Sequence, residues 1–312
     1  MTLLIGALTL GGILALLAIG VYLSFRIFSI ADMTVDGAVT LGGAVTGVLL
    51  IQFGAHPIQA MLFSVLAGML AGAVTGIMQT TFRINSLLAG ILMMTALYSI
   101  NLRIMQKSNL PLHDTTTLST LCHALGRSLF ESRSLDVLGW SIAPDDLLFL
   151  LCVFAIVLSI TLILWMFLRT DLGTAMRASG DNPEMIRALG GNVEAYRIAG
   201  LALSNGLVAL SGSIWAQYQN FADAQMGIGM IVWGLASVIV GEALIAGSMG
   251  VGVALAGAIL GSLLFRELIA IALSFGLNPN DLKLVTAFFV FLALTLPRQI
   301  LKMGPSPSVK PS

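Results

Sequence analysis

Charge is what this sequence holds least of: aspartate, glutamate, lysine and arginine make up 10% of 312 residues, against 57% hydrophobic ones. A water-soluble domain carries roughly 25% charged residues. The chain therefore has too little polar surface to face water, and a mean hydropathy of +0.98 places it in lipid. Its 15 cations balance its 15 anions, so it lacks the basic footprint of a nucleic-acid binder. Cysteine is nearly missing. Cys122 and Cys152 show no metal spacing and Cys152 falls in an apolar run, so neither a metal site nor a structural disulfide is expected. The three histidines, His56, His113 and His123, fall in turns or in a polar segment. An intramembrane metalloenzyme would have no ligands to build with. The phosphate loop G-x-x-x-x-G-K-S/T, the zinc motif H-E-x-x-H and the nucleophile motif G-x-S-x-G are absent. No cofactor is expected on this chain, which reads as a non-enzyme; ATP and magnesium, if used, belong to another subunit. The first apolar run has no basic start, so no cleavable leader is expected.

What the sequence does have is long apolar runs, each near the 20 or so residues that cross a bilayer. We read an all-α polytopic membrane bundle of about nine spans: Thr2 to Phe25, Met33 to Gln52, Ile58 to Thr80, Ile84 to Leu102, Leu147 to Leu168, Ile198 to Asn220, Gly227 to Gly247, Val251 to Phe275, and Leu284 to Leu296 with its flanks. They form one membrane domain over residues 1–303, followed by a Pro/Ser-rich tail at 304–312 expected to be disordered. A polar segment, 103–146, separates the fourth and fifth spans, and Leu118 to Phe130 within it has the pattern of a short amphipathic helix. Small residues recur at four-residue spacing, as Gly68, Gly72 and Gly76, Gly43 and Gly47, and Gly257 and Gly261. Such ridges let helix backbones approach closely in lipid, where packing drives association.

Lysine and arginine placement sets orientation. If the polar stretch 169–197 is cytoplasmic, that side receives Arg26, Arg83, Arg169, Arg177, Arg187, Arg197, Arg298, Lys302 and Lys310. The other side receives Arg103, Lys107, Arg127, Arg133 and Lys283, and Arg266 falls inside a span. The bias predicts an N-terminus outside and a C-terminus in the cytoplasm.

That stretch, between two long apolar runs, spells a short capped helix. Asp181 or Asn182 can N-cap it, Pro183 suits the first helical position, and Glu184 suits the positive end of the helix dipole. Gly190 and Gly191 end it, and Asn192 can cap the next start. A rigid two-turn helix between spans suits force transmission to a soluble partner; an ordinary solvated loop has the same local chemistry.

Polar groups within spans form a second set of candidates, because an acid near mid-bilayer costs about 2.5–3.5 kcal/mol. Asp32 and Asp36 sit four apart around Thr34, which would place both on one face of a helix. They read either as a polar pathway lining or as acidic caps of a helix N-terminus. Asn205, Gln217, Gln219 and Asn220 read equally as pathway groups or interhelical hydrogen-bond partners. Arg266 and Glu267, adjacent and so facing apart, each need another partner.

Three stretches carry a resemblance to the permeases of type II ABC importers, the branched-chain amino acid and ribose group. They are Gly6 to Gly12 running on to Asp32-Met33-Thr34-Val35-Asp36-Gly37, the loop residues Thr170, Gly173, Ala175, Arg177, Ala178, Gly180, Asn182 and Pro183, and the glycine-bounded run Gly229 to Gly241. Glu242 stands where the family often has a second glycine. The resemblance implies a binding-protein-dependent permease in the inner membrane, paired with a second permease chain, identical or homologous, around a pathway for a small, amino-acid-like solute. It implies two ATP-binding subunits gripping a coupling helix at about Pro183 to Leu189, with Arg177, Gly180, Asn182, Pro183, Glu184, Met185, Arg187, Ala188, Leu189 and Gly190 as the coupling residues. It also implies an extracytoplasmic substrate-binding protein docking on segment 103–146. Asp32, Thr34, Asp36 and Asn205 would line the pathway. The competing class is a secondary transporter driven by H⁺ or Na⁺ without an ATPase, which would want acids deep in the spans and an inverted repeat.

Overall fold

The structure, a computed structural model, describes residues 2–113, 115–130, 135–137, 140–142, 144–245, 250–276, 284–288 and 291. It is a helix bundle, as backbone in lipid requires, since only a helix satisfies its own N–H and C=O groups within one segment. In chain order come α1 (Thr2–Tyr22) with a π-helical turn (Leu23–Ile27), α2 (Thr34–Phe53), α3 (Pro57–Thr80), α4 (Ser86–Met105), β1 (Asn109–Pro111), α5 (Leu118–Phe130), β2 (Leu135–Val137) and β3 (Trp140–Ile142). There follow α6 (Pro144–Leu168), α7 (Asp171–Asp181), α8 (Pro183–Ala188), α9 (Val193–Gln219), β4 (Phe221–Asp223), α10 (Met230–Leu244) and α11 (Val251–Ser274).

Among the described residues seven helices are long and apolar enough to cross a membrane, and α10 is a shorter apolar helix. Seven of the nine expected spans are therefore full-length. The seventh, expected over 227–247, is cut to the 15 residues of α10 because the backbone before it is not helical. The ninth, expected over 284–296, lies mostly outside the described residues, as do the turn expected at 278–280 and the tail at 304–312. The amphipathic helix expected in the polar segment is α5.

Burial divides the bundle. In α1, α2 and α9, 72–78% of the most apolar window is enclosed, whereas α4 and α6 enclose only 22% and 28%. So α9 is the central rod, packed by α1, α2 and α3, while α4 and α6 present large apolar faces outward. The glycine ridge of α3 is what lets it lie on α9. A Cβ at Gly68, Gly72 or Gly76 would strike Asn205 and Ala209, the Leu201 carbonyl, or Ile198. Gly257 and Gly261 do the same between α11 and α10. Gly43 and Gly47 instead admit Met226, from the turns before α10, and Leu110 of β1. Hydroxyls lock the crossings: Thr46 Oγ1 meets Ser64 Oγ at 2.7 Å and Ser213 Oγ at 2.6 Å, joining α2, α3 and α9. At the end of the bundle where α9 finishes, β1 and β4 pair antiparallel, Leu110 opposite Ala222. The α7–α8 pair lies at the end where α9 begins.

Candidate functional site

The polar stretch folds as two short helices. Thr170 Oγ1 accepts the Gly173 amide at 3.2 Å and starts α7. This helix was not expected from the sequence, where residues up to Asp181 read as plain loop. It forms because Met176 and Ser179 are buried, and because Gly180 lets α7 lie directly on the Ile27 carbonyl, where a Cβ would collide. Asp181 thus ends α7, and Asn182 is the cap of α8, its Oδ1 accepting the Met185 amide at 3.0 Å. Pro183 opens α8. Gly190, at φ 84°, supplies the left-handed residue that stops it, and the Gly191 amide closes on the Ile186 carbonyl at 2.9 Å. Asn192 Oδ1 then accepts the Ala195 amide at 3.0 Å and starts α9.

Along α8 only Ile186 is buried. Glu184, Arg187 and Ala188 are exposed, and so are two large apolar side chains, Met185 at 47% and Leu189 at 76%. Arg177 is half-buried and lines a cavity of about 370 Å³ with Tyr22, Arg26, Asp181 and Glu242. Across it Arg26 and Glu242 form a two-pronged ion pair joining the π-helical turn to the end of α10. This pair is missing from the sequence-derived candidates. Its signal was a lone cation closing the first apolar run and a lone acid near the close of the seventh.

The second candidate set divides in the structure. Helix α2 begins at Thr34, so Asp32 precedes it, and Asp32 and Asp36 do not share a helical face. Asp32 is fully buried: Oδ1 accepts the Thr34 amide at 2.9 Å and Oδ2 accepts Asn205 Nδ2 at 2.6 Å. Thr34 Oγ1 lies 2.9 Å from Thr75 Oγ1. Asp32, Thr34 and Asn205 are therefore brought together as a closed knot binding the α1–α2 linker to α3 and α9. Asp36 faces elsewhere. Its two oxygens accept the Gly229 and Ile231 amides, each at 2.8 Å, and Thr40 Oγ1 accepts the Gly227 amide at 3.1 Å. A carboxylate thus caps the start of α10, where the helix dipole favours negative charge. Beside it Asp36, Thr40, Thr95, Tyr98, Asn101 and Ile228 border a cavity of about 220 Å³. Arg266 finds its partner in an aromatic face, its guanidinium 5.6 Å above the Trp233 ring. Among the described residues no group of three or more His, Cys, Asp and Glu side chains is placed to hold a metal.

This bundle, with its helical pair inserted between two long spans, can be set against known proteins. The family model of branched-chain amino acid transport system permease components matches residues 3–295. The chain belongs to that family. It is thus a transport permease component of the type II ABC importer kind and a multi-pass membrane protein. This permease is 39% identical over 290 residues to the tyrosine transport system permease protein of Clostridioides difficile (strain R20291), covering 93% of this chain and 90% of that one. It is 28% identical over 256 residues to the autoinducer 2 import system permease protein LsrC of Yersinia pseudotuberculosis serotype O:3 (strain YPIII), covering 82% of this chain and 66% of the relative. Among solved structures, PsaBC from Streptococcus pneumoniae in complex with Fab aligns with a TM-score of 0.51 over 96% of this chain and 94% of that chain. At 16% identity that likeness speaks for the fold alone.

Proposed function

We propose that this permease forms, with a second permease chain, the translocation pathway of an ATP-driven importer for an amino-acid-like solute delivered by an extracytoplasmic binding protein. An aromatic amino acid is the first substrate to test, because the relative from Clostridioides difficile is named for tyrosine transport. In this reading α8 is the coupling helix. Partner ATPase subunits, which bind ATP and magnesium, grip Glu184, Met185, Arg187, Ala188 and Leu189, with Asn182, Pro183 and Gly190 fixing the ends of the helix. Arg177 and Gly180 seat its base against the π-helical turn. Closure of the ATPases then rocks the spans between inward-open and outward-open states. The protein lies in the inner (plasma) membrane with the α7–α8 end and the C-terminus cytoplasmic and the N-terminus outside.

One observation carries the proposal most directly. A polar loop has been given a capped, rigid helix that buries only Ile186 and leaves Leu189 and Met185 bare. Apolar side chains exposed outside the spans call for a partner surface. In the pathway Asp36 and its cavity are the best-placed polar groups, while Asp32, Thr34 and Asn205 act behind them by fixing the linker.

The test is uptake in proteoliposomes by the chain reconstituted with its ATPase and binding protein, with tyrosine and phenylalanine as first solutes. ATP-dependent uptake that vanishes without the ATPase supports the reading. Uptake by the permease alone, driven by a proton or sodium gradient, would instead establish a secondary transporter.

A further inference from the structure

A groove on the bundle takes its lining from α6, α7 and α11 and none from α8. It encloses about 740 Å³ between the last turns of α6, the base of α7 and the first turn of α11. One wall is apolar and outward-facing, made by Leu158 and Leu162 of α6 and Val253 of α11, which are 60%, 55% and 43% exposed. The other end carries two arginines, Arg169 and Arg177, and no carboxylate is among the residues lining it. Neither arginine lies within ion-pair distance of a carboxylate among the described residues, and Arg177 also borders the cavity that holds Asp181 and Glu242. Trp165 lies between the two zones. The Arg169 guanidinium sits 4.8 Å over its ring. Its indole edge packs against Gly252 so closely that a Cβ there would meet Nε1 at 2.6 Å. Tryptophan with an amphipathic cation marks the level of lipid headgroups, and clustered basic side chains there attract anionic lipid.

We propose that this groove is a binding site for one anionic phospholipid, in the leaflet on the α7–α8 side. Its phosphate lies between Arg169 and Arg177, its glycerol against Trp165, and its acyl chain along Leu158 and Leu162. Charge complementarity selects the occupant: a zwitterionic lipid brings a cationic head to two arginines, whereas an anionic one does not. The amides at the start of α11, which no side chain caps among the described residues, add a favourable dipole to the same end. The site stands on α6, α7 and α11 and holds whether or not α8 meets an ATPase. Because Arg177 belongs to the base of the coupling hairpin, the bound lipid would also steady that base.

The experiment uses the purified full chain in nanodiscs containing brominated-acyl phosphatidylglycerol or the same-chain phosphatidylcholine, with tryptophan fluorescence quenching as the readout. Phosphatidylglycerol is expected to quench more, and the difference is expected to vanish in Trp165→Phe. An arginine at a lipid surface contributes about fivefold in affinity. Arg169→Gln should therefore weaken the preference for phosphatidylglycerol about fivefold and the Arg169→Gln/Arg177→Gln double variant further, while Arg169→Lys keeps most of it. Equal quenching by the two lipids, or a preference untouched by Arg169→Gln, would overturn the site. So would loss of the preference on adding inorganic phosphate, which would reassign the arginines to a soluble anion. If the double variant does not fold, Trp165→Phe and Arg169→Gln alone decide the matter. ATP-driven uptake does not enter this readout, so its failure would count against the transport reading only.

Discussion

Leu189→Glu is the perturbation that addresses the coupling helix most directly. Leu189 ends α8, is 76% exposed, and supports no buried contact that its loss would open. Fully burying a leucine is worth about 1.5–3 kcal/mol, so docking of an ATPase groove over this residue should draw about 2 kcal/mol from it. Loss of that term weakens association about thirtyfold, and a carboxylate pressed into an apolar groove adds to the cost. The fold should not notice, since a surface change of this kind stays within about 0.5 kcal/mol. Ile186→Ala is the contrasting variant. Ile186 is 6% exposed and pins α8 to its base, so it should lose stability by up to about 2–5 kcal/mol. The assays are retention of the ATPase subunits on the immobilised permease, ATP-dependent uptake in proteoliposomes, and thermal melting in detergent. A Leu189→Glu permease that melts normally, retains its ATPase and takes up solute at the full rate would refute the assignment of α8.

Three further outcomes are expected. Asp32→Ala strips the Thr34 amide of its acceptor and leaves Asn205 Nδ2 with only the Leu201 carbonyl, costing about 1–3 kcal/mol per N–H left unpaired, and Asp32→Asn should cost less; an unshifted melting temperature for Asp32→Ala would contradict the knot. Gly72→Leu drives a side chain into the Leu201 carbonyl and should abolish the folded, monodisperse protein, whereas Leu66→Ala on the outward face of α3 should not; a monodisperse Gly72→Leu would show that α3 and α9 pack otherwise. A double-mutant cycle on Arg26 and Glu242, 58% and 34% exposed, should give a stability coupling of no more than about 1 kcal/mol; a coupling several times larger would mean the pair is enclosed in the working assembly.

Local chemistry made much of this protein legible. The Asn182-Pro183 opening and the Gly190-Gly191 stop located α8, because caps and terminators act within a few residues. The glycine ridge at 68, 72 and 76 marked a close helix contact, because only a bare backbone permits one. Partners were another matter. That α3 lies on α9, that Asp36 reaches Gly229 and Ile231, and that Arg26 meets Glu242 are facts of chain return over roughly 130 to 220 positions, which no local pattern encodes. The helical spacing of Asp32 and Asp36 misled for a related reason. Four-residue spacing implies a shared face only inside a helix, and α2 starts between the two acids. Helix α7 escaped because its polar side chains conceal that Met176, Ser179 and Gly180 are held by tertiary packing.

The cap on α10 has a mechanical consequence. Fifteen residues rise about 22 Å, short of the roughly 30 Å of hydrocarbon, so the chain runs through the bundle as a series of turns before α10 begins. Backbone of that kind survives in a membrane only where neighbours supply its partners. Here α2 supplies them, through Asp36 and Thr40. Sliding α2 past α10 would break three hydrogen bonds to backbone amides at once. The two therefore travel as a single yoked piece, and any opening of the permease has to part along some other seam.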